Sequence, residues 1–344
     1  MSTDLLLVSL GTTRGLRVAD SAFLDQARRA GASAEAVAVR VGALDRLRRA
    51  YPANDLVEAA AARRALKAGL RREPRAVVFS TVTAAMLAPR LDVPFAVRLD
   101  SPAMLNRPGV RNAPLHALEQ RALSRCRLVL PWSGAALTAL PAGTSRSVVL
   151  PPPIAPSGPP AERPSPVAVA YVPDPKAKGL SLLCEAWQRA AIADARLAVF
   201  GIEADRARRH LERFGPAEPP RVEWRGQAPP AEFRAALRGA RAFVHSAVWE
   251  DFGQAPLEAL ADGAPLVTVP SGGAYEAIAL ARELAPELVA ADLEPESLAS
   301  CIRTAFAIED ASAYRERAAA LLAPYRSEAL EETVRERVLP ALLS

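Results

Sequence analysis

A proline-rich segment near the middle of the chain separates two parts that must fold around different cores. Eight of the sixteen residues from Pro151 to Pro166 are proline. Because proline fixes φ and lacks an amide hydrogen, this composition excludes a central strand or helix and favours a stiff connector. The length of 344 residues also exceeds the usual size of one hydrophobic core. The sequence therefore predicts two domains that meet close to residue 155.

Short apolar runs alternate with stretches of helical periodicity on both sides of this connector. Before it the apolar runs are Leu5–Leu10, Ala76–Phe79, Phe95–Leu99 and Leu128–Leu130. After it they are Val167–Val172, Leu197–Phe200, Val222–Trp224, Ala242–His245 and Leu266–Val269, with a further candidate at Leu288–Ala290. This alternation predicts parallel sheets covered by helices. The predicted fold class is α/β, with two Rossmann-like domains whose parallel sheets face a cleft. The expected boundaries are 1–155, 156–325 and a closing helix at 326–344 that returns to the first domain.

The two parts carry charges of opposite sign. Residues 1–160 contain 22 Lys and Arg against 11 Asp and Glu, whereas residues 161–344 contain 21 against 27. Two basic clusters lie in the first part, at Arg46–Arg49 and at Arg63–Arg72. Such clusters are typical either of a solvated helix face or of a surface that attracts anionic lipid headgroups or an acidic acceptor. Nucleic acid is not an expected partner, because no aromatic residues interleave these clusters.

Cysteine use and hydropathy are typical of a cytoplasmic protein. The three cysteines, Cys126, Cys184 and Cys301, have no paired spacing, so we expect buried thiols and neither disulfides nor a cysteine zinc site. No apolar segment approaches the length of a membrane span. The expected location is the cytoplasm, and the basic first domain is compatible with peripheral contact at the inner membrane face.

The segment from Val244 to Glu258 has the pattern of an anion-binding loop. An apolar run ends near Val244, Phe252-Gly253 predicts a turn, and Pro256 is typical of a first helical turn. The amides of Phe252, Gly253, Gln254 and Ala255 would then point at a phosphate from the positive end of the helix. Two carboxylates, Glu250 and Glu258, flank this turn. Taken alone, Glu258 could equally be an acidic first-turn residue favoured by the helix dipole.

With these residues the chain resembles the retaining glycosyltransferases of family 4, which have the GT-B fold. The resemblance is strongest over residues 167–340. Its markers are the sequence from Glu250 to Ala261, Lys178-Gly179 before a helix, the loop Ser271–Glu276, and the segment Leu293–Ala299. The resemblance implies an acceptor-binding first domain and a donor-binding second domain. The implied reaction moves a sugar from a nucleotide diphosphate sugar to an acceptor hydroxyl, as in carbohydrate biosynthesis.

The resemblance also implies roles for individual residues. Glu250 would touch hydroxyls of the transferred sugar, and Glu258 would hold the ribose hydroxyls of the nucleotide. A carboxylate suits both tasks because charge-assisted hydrogen bonds to a diol are stronger than neutral ones. The four turn amides would bind the diphosphate, and Lys178 would neutralise the departing phosphate. For an isolated lysine, a solvated position at a helix start is the alternative.

One position departs from the family pattern. Family members usually carry an arginine six residues before the lysine, and here that position is Val172. Lys176, Arg225 or Arg14 could supply the missing charge, and the sequence does not choose among them. If none does, a catalytically silent sugar-nucleotide-binding or partner subunit becomes the alternative function. An epimerase or phosphorylase on the same scaffold is a second alternative.

The first domain offers fewer candidates. Where the family often has a histidine, this chain has Arg98 and Asp100. Asp100 could accept a hydrogen bond from the sugar or orient the acceptor, or it could cap the turn at Ser101-Pro102. The loop that ends at Gly15 follows the first strand and could approach a phosphate. His245 ends a strand and is expected to be a satisfied core histidine.

No metal ion and no cofactor are expected. The sequence contains neither an Asp-x-Asp pair nor a cluster of histidines and carboxylates. The expected partners are the nucleotide sugar and an acceptor that is a glycan, a lipid carrier or a small molecule. Poor supply of carboxylates on one face of the sugar favours front-side displacement, in which the leaving phosphate takes the acceptor proton. A covalent double displacement would need Asp100 as the nucleophile.

Overall fold

The structure, a computed structural model, describes residues 3–42, 53–144 and 146–344. The chain divides into two compact units, Met1–Pro153 with Tyr325–Ser344 and Ile154–Pro324. No helix in the described ranges is both long and apolar enough to cross a membrane. The basic cluster at Arg46–Arg49 lies outside the described residues.

The first unit contains a five-stranded parallel sheet. Its strands are β1 (Leu5–Ser9), β2 (Ala34–Ala38), β3 (Ala76–Phe79), β4 (Phe95–Leu99) and β5 (Leu128–Pro131). They lie in the order β2-β1-β3-β4-β5, and every pair is parallel. Most of these strands are buried runs of apolar residues, as is typical of strands covered on both faces. The helices are α1 (Arg14–Arg29), α2 (Ala53–Gly69), α3 (Val82–Ala85), α4 (Ala103–Asn106), α5 (Ala113–Arg125) and α6 (Gly134–Thr138).

The second unit repeats this architecture. Its strands are β6 (Ser165–Tyr171), β7 (Arg196–Phe200), β8 (Val222–Gly226), β9 (Ala240–His245) and β10 (Leu266–Thr268), in the parallel order β10-β9-β6-β7-β8. Its helices are α7 (Leu180–Ala190), α8 (Ala204–Phe214), α9 (Pro230–Gly239), α10 (Gln254–Ala261), α11 (Ala277–Leu284), α12 (Pro295–Ala307) and α13 (Ser312–Leu321). The predicted α/β class with two parallel sheets is therefore confirmed. In both units the carboxyl ends of the central strands meet at one edge, where ligands bind in open sheets.

The predicted strand at Leu288–Ala290 is wrong. The chain forms a 3₁₀ turn over Pro286–Leu288, and only Val289 makes an isolated bridge to Thr268. The Leu288 and Val289 amides donate to the Ala285 and Pro286 carbonyls within the turn, so the edge contact is reduced to the single bond from the Ala290 amide to the Thr268 carbonyl, 2.8 Å long.

The C-terminal segment belongs to the first unit, which confirms the predicted return of the chain. It consists of α14 (Ser327–Thr333), a π-helical turn at Val334–Val338 and α15 (Leu339–Leu343). Five buried residues of this segment join the core beside β1, β5 and α1: Leu330, Val334, Val338, Leu339 and Leu342. The segment thus covers the first sheet with an apolar face.

All three cysteines are free and buried, as the sequence predicts. Burial raises the pKa of Cys184 to about 12, so this thiol stays protonated and unreactive.

Candidate functional site

The turn before α10 exists only because residue 253 is glycine. Gly253 has φ +86° and forms the N-cap of α10. A Cβ on this residue would lie 2.7 Å from the ring of Tyr275. Both the left-handed backbone and the close ring contact therefore require glycine. The turn brings the loop after β9 directly into the first turn of α10.

The first amides of α10 are available to an anion. Pro256 is the third helical residue and has no amide hydrogen, and the Leu257 amide already donates to the Gly253 carbonyl over 3.2 Å. Within the described ranges, the amides of Gln254 and Ala255 have no hydrogen-bond partner. These groups sit at the positive end of the helix dipole, which favours negative charge. The local geometry is that of a phosphate site.

Lys178 and Glu250 form an ion pair beside this turn. The Lys178 Nζ lies 2.6 Å from the Glu250 Oε2, and their side chains are 21% and 13% exposed. Sequence analysis named both residues but assigned them to different ends of the donor. The structure brings them into direct contact.

Two glycines hold the backbones of this pair together. Gly179 has φ +63°, and a Cβ there would lie 2.1 Å from the Ser246 carbonyl oxygen. Gly273 has φ +96°, and its Cβ would lie 2.2 Å from the Glu250 carbonyl oxygen. No other residue fits such approaches to backbone atoms. The loops after β6, β9 and β10 therefore pack closely against one another around the ion pair.

Hydrogen bonds fix these three loops further. The Val248 amide donates to the Ala177 carbonyl over 3.1 Å, and the Glu250 amide donates to the Gly272 carbonyl over 2.9 Å. The Ser246 hydroxyl donates to the Lys178 carbonyl over 2.9 Å. Glu250 is therefore held by its backbone as well as by Lys178, which leaves its carboxylate as the movable part.

His245 differs from the sequence-based expectation. It is 4% exposed and its ring packs on that of Tyr275 with the centroids 4.9 Å apart. Its Nε2 has no hydrogen-bond partner in the described structure and lies 3.5 Å from the Glu250 Oε2. The expected burial is found, but the expected satisfied hydrogen bonding is wrong for Nε2. Burial and the nearby charge of Lys178 lower the pKa of His245 to about 3, so the ring is neutral.

Glu258 lies one turn inside α10. Its Oε1 accepts a hydrogen bond from the Gln254 side chain over 2.9 Å and lies 4.0 Å from the Arg234 guanidinium. Arg234 also forms an ion pair with the fully buried Asp262 and donates to the Ala155 carbonyl. Sequence reasoning missed Arg234, because a single arginine in the amphipathic helix α9 carries no distinguishing pattern. This arginine ties the end of the proline-rich connector to the helix that carries Glu258.

The structure locates three of the positions that concern the family arginine. Val172 is a buried core residue whose amide donates to the Phe200 carbonyl over 2.8 Å. Arg225 lies on β8 and is paired with Glu232 at 2.9 Å and Glu223 at 3.7 Å. Lys176 is exposed, and the side chain of Arg14 lies outside the described part of the chain. Arg225 is therefore engaged with surface carboxylates in this state.

The structure also places two candidate residues of the first unit. The Asp100 Oδ1 accepts a hydrogen bond from the Ser101 amide over 2.8 Å, which is the turn-capping alternative. Gly15 does not lie in a loop, because α1 already begins at Arg14, with Thr13 as its N-cap. The hydroxyl of Thr13 accepts from the Leu16 amide and so starts the helix before Gly15. The loop after the first strand therefore ends at Thr13, before the predicted Gly15, and the donor-binding role of Gly15 stays a prediction.

Arg98, which occupies the family's histidine region, is a buried residue of the first core. It is 1% exposed and donates to the Asp20 carboxylate over 2.8 Å. The Ser9 hydroxyl donates to the same carboxylate over 2.6 Å. Burial raises the pKa of Asp20. This pair joins α1 to the carboxyl end of β4, and its guanidinium is not exposed to a substrate.

Metal ligands do not cluster in the described residues. Over residues 3–42, 53–144 and 146–344, no group of three or more His, Cys, Asp or Glu side chains is arranged to hold an ion. The chemistry that this arrangement can perform is binding of an anionic diphosphate by amides and Lys178, with Glu250 and Glu258 as hydrogen-bond acceptors.

The second unit matches a known family model. Residues 163–308 match the model described as glycosyl transferases group 1. No curated protein matches the sequence. The matched range covers the turn before α10, the loop of Lys178 and the loop of Gly273.

Solved structures of glycosyltransferases share the whole fold. Sucrose-phosphate synthase from Thermosynechococcus elongatus superposes with a TM-score of 0.73 at 17% identity, covering 97% of each chain. The α,α-trehalose 6-phosphate synthase from Burkholderia multivorans gives 0.69 at 14% identity over 100% of each chain. WaaG, a glycosyltransferase involved in lipopolysaccharide biosynthesis, gives 0.69 at 15% identity over 96% of this chain and 98% of its own. At such identities the similarity shows the fold. Residues 163–308 thus match the glycosyl transferases group 1 model, and the chain has the GT-B fold of these solved structures.

Proposed function

We propose that the chain is a retaining glycosyltransferase that moves a hexosyl group from a nucleotide diphosphate sugar to an acceptor hydroxyl. The observation that carries the proposal is the ion pair of Lys178 and Glu250 beside the available amides of α10. A cation, a carboxylate and helix amides within one small region match the three parts of such a donor. Lys178 suits the departing phosphate, Glu250 suits the sugar hydroxyls, and the helix amides suit the other oxygens of the diphosphate.

In this proposal the diphosphate binds at the turn Phe252–Ala255. The amides of Gln254 and Ala255 donate to its oxygens, and the helix dipole stabilises their charge. Lys178 neutralises the charge that builds on the departing phosphate as the glycosidic bond breaks. Glu258 accepts hydrogen bonds from the ribose hydroxyls. Glu250 accepts hydrogen bonds from the transferred sugar.

Retention follows from a front-side displacement in the same proposal. The leaving phosphate takes the proton of the acceptor hydroxyl as the new bond forms on the face that the phosphate leaves. Asp100 accepts a hydrogen bond from the Ser101 amide, which supports the turn-capping role over a nucleophilic one. A metal ion is not required, because Lys178 and the α10 amides supply the positive charge that a cation would otherwise supply.

The acceptor is a glycan, a lipid carrier or a small molecule bound by the first unit. A basic face on α2 and the following turn supports binding of an anionic acceptor or of an anionic membrane surface. It is compatible with a cytoplasmic location at the inner membrane face. Its exposed members are Arg63, Arg64, Lys67, Arg71 and Arg72. Arg72 is paired with Glu35 at 2.6 Å, and both side chains are about half exposed, so salt should screen this pair.

The proposal is tested by incubating the purified protein with a panel of nucleotide diphosphate sugars in the presence of a chelator. We expect slow release of nucleoside diphosphate from one donor, faster with an acceptor, and a product that keeps the anomeric configuration by NMR. Binding without any release would favour a silent subunit. A changed sugar nucleotide would indicate an epimerase, and consumption of inorganic phosphate a phosphorylase.

A further inference from the structure

The buried end of β9 presents one unsatisfied nitrogen to the proposed site. Among the residues that the structure describes, His245 Nε2 has no hydrogen-bond partner, and it faces the Glu250 Oε2 across 3.5 Å. A buried polar atom without a partner is costly, so such atoms are rare and call for an explanation. The distance is too long for a hydrogen bond by about 0.5 Å. The ring itself is fixed, since it packs on Tyr275, whose hydroxyl lies 2.9 Å from the Thr268 hydroxyl.

The ion pair with Glu250 and the proposed reaction make competing demands on Lys178. Its Nζ lies 2.6 Å from the Glu250 carboxylate. If the proposed function is right, the same ammonium group must approach the donor phosphate. The largely buried Glu250 carboxylate then loses its cation at the moment when it has to hold the sugar hydroxyls, which is costly for a desolvated charge.

We infer that His245 is a positioning residue that donates a hydrogen bond from Nε2 to Glu250 when Lys178 turns to the donor phosphate. This inference rests on the proposed function. A small rotation of the Glu250 side chain closes the gap, because its backbone is held by the Gly272 carbonyl. Oε2 is then held by His245, and Oε1 is free for the sugar. Glu250 thereby keeps the position in which it binds the sugar throughout the catalytic cycle.

The protonation state of the ring suits this role. Lys178 and Glu250 are the charged groups that face His245, and Tyr275 stays neutral because burial raises its pKa. A neutral imidazole carries one hydrogen. With a carboxylate oxygen opposite, the hydrogen is favoured on Nε2, since a lone pair there would repel the anion.

The kinetic test compares two substitutions of the same histidine. Leucine in His245→Leu fills the space without a donor, whereas the amide nitrogen in His245→Gln is placed near the original Nε2. We expect His245→Leu to lower kcat by about ten- to hundredfold with little change in donor KM, and His245→Gln to recover most of the loss. His210→Leu is the control, because His210 lies on α8 and its ring contacts the Ser181 hydroxyl instead. Full activity of His245→Leu, or equal loss in both variants, would overturn the inference.

A second test needs no turnover, so it separates failure of this inference from failure of the proposed function. Long-range ¹H–¹⁵N NMR of histidine-labelled protein reports the tautomer of His245, assigned by its loss in His245→Gln. We expect the Nε2–H form in the resting protein. In Lys178→Met the Glu250 carboxylate has lost its cation, so we expect the Nε2 proton to move downfield as the hydrogen bond forms. An Nδ1–H tautomer in both proteins, or an unchanged proton shift in Lys178→Met, would refute the role of His245 whatever the donor screen shows.

Discussion

At the scale of single residues, the site depends on side chains whose protonation is set by burial. His245 stays neutral beside Lys178, so it does not add a second positive charge to Glu250. The sequence indicated Glu250 and Glu258 by their spacing around a glycine turn, and Lys178 by the resemblance of Lys178-Gly179 to the family pattern, and their roles stay predictions. It could not predict the contact between Lys178 and Glu250, since 72 residues separate them along the chain. Nor could it predict the orphaned Nε2 of His245, which depends on side-chain packing in three loops.

Glu119 in the first unit provides a prediction about pH. Burial raises the pKa of this carboxyl group from 4.5 to about 7, although the Ala103 amide donates to it. A raised pKa in the folded state means that the contribution to stability is fully present below pH 4.5 and is lost as pH rises through 7. We expect the free energy of unfolding of the wild type, relative to Glu119→Gln, to fall by about 3 kcal/mol between pH 4.5 and pH 8. Urea unfolding at a series of pH values measures this difference, and parallel pH profiles of the two proteins would contradict it.

At the scale of elements, three loops and one helix N-terminus form the site. Each loop follows a strand of the second sheet, and each contains a glycine with positive φ. The apolar strand runs and the Gly-Pro pattern of α10 made these elements predictable. The start of α1 was not predicted. Thr13 caps the helix two residues before Gly15, so Gly15 lies in the helix and not in the preceding loop. The strand at Leu288–Ala290 failed because apolar character alone does not distinguish a strand from a short turn.

Substitution of Gly179 tests the close packing of the loop of Lys178. In Gly179→Ala the new Cβ would meet the Ser246 carbonyl oxygen at 2.1 Å, so the loop of Lys178 must move. We expect a lower melting temperature and a loss of donor binding. Gly143→Ala is the matched control, because Gly143 also has positive φ, +79°, but nothing lies within 4 Å of its Cβ position. That control should show only backbone strain, about 1 kcal/mol. Equal effects of the two substitutions on melting and donor binding would show that the contact with Ser246 is unimportant.

At the scale of the whole molecule, the chain forms two similar α/β units, and its last residues pack in the core of the first unit. The proline-rich connector and the alternation of elements predicted two parallel sheets. The sequence predicted a closing helix that returns to the first domain, and the structure shows that five of its apolar residues complete the first core. Sequence reasoning could not identify these partners, because the packing of α1 against the π-helical turn at Val334–Val338 joins opposite ends of the chain.

Val334 tests this use of the C-terminal segment. It is fully buried in the first core, so the carboxylate in Val334→Asp would be desolvated without a partner. We expect the first unit to lose most of its stability, several kcal/mol. Glu336→Ala, at an exposed position in the same π-helical turn, should leave stability unchanged. Thermal unfolding and protein yield measure both effects. A Val334→Asp protein that melts like the wild type would contradict the packing described for this segment.

The proposed function requires that α10 and its flanking carboxylates bind a nucleotide diphosphate sugar. Calorimetric titration with the donor's nucleoside diphosphate measures this binding. The titration compares the wild type with Glu258→Ala and Glu250→Ala. We predict that Glu258→Ala weakens nucleotide affinity by about tenfold or more, since a charge-assisted bond to the ribose is lost. Glu250→Ala should keep the affinity of the wild type while abolishing transfer. Unchanged affinity in Glu258→Ala, or full transfer by Glu250→Ala, would contradict the account.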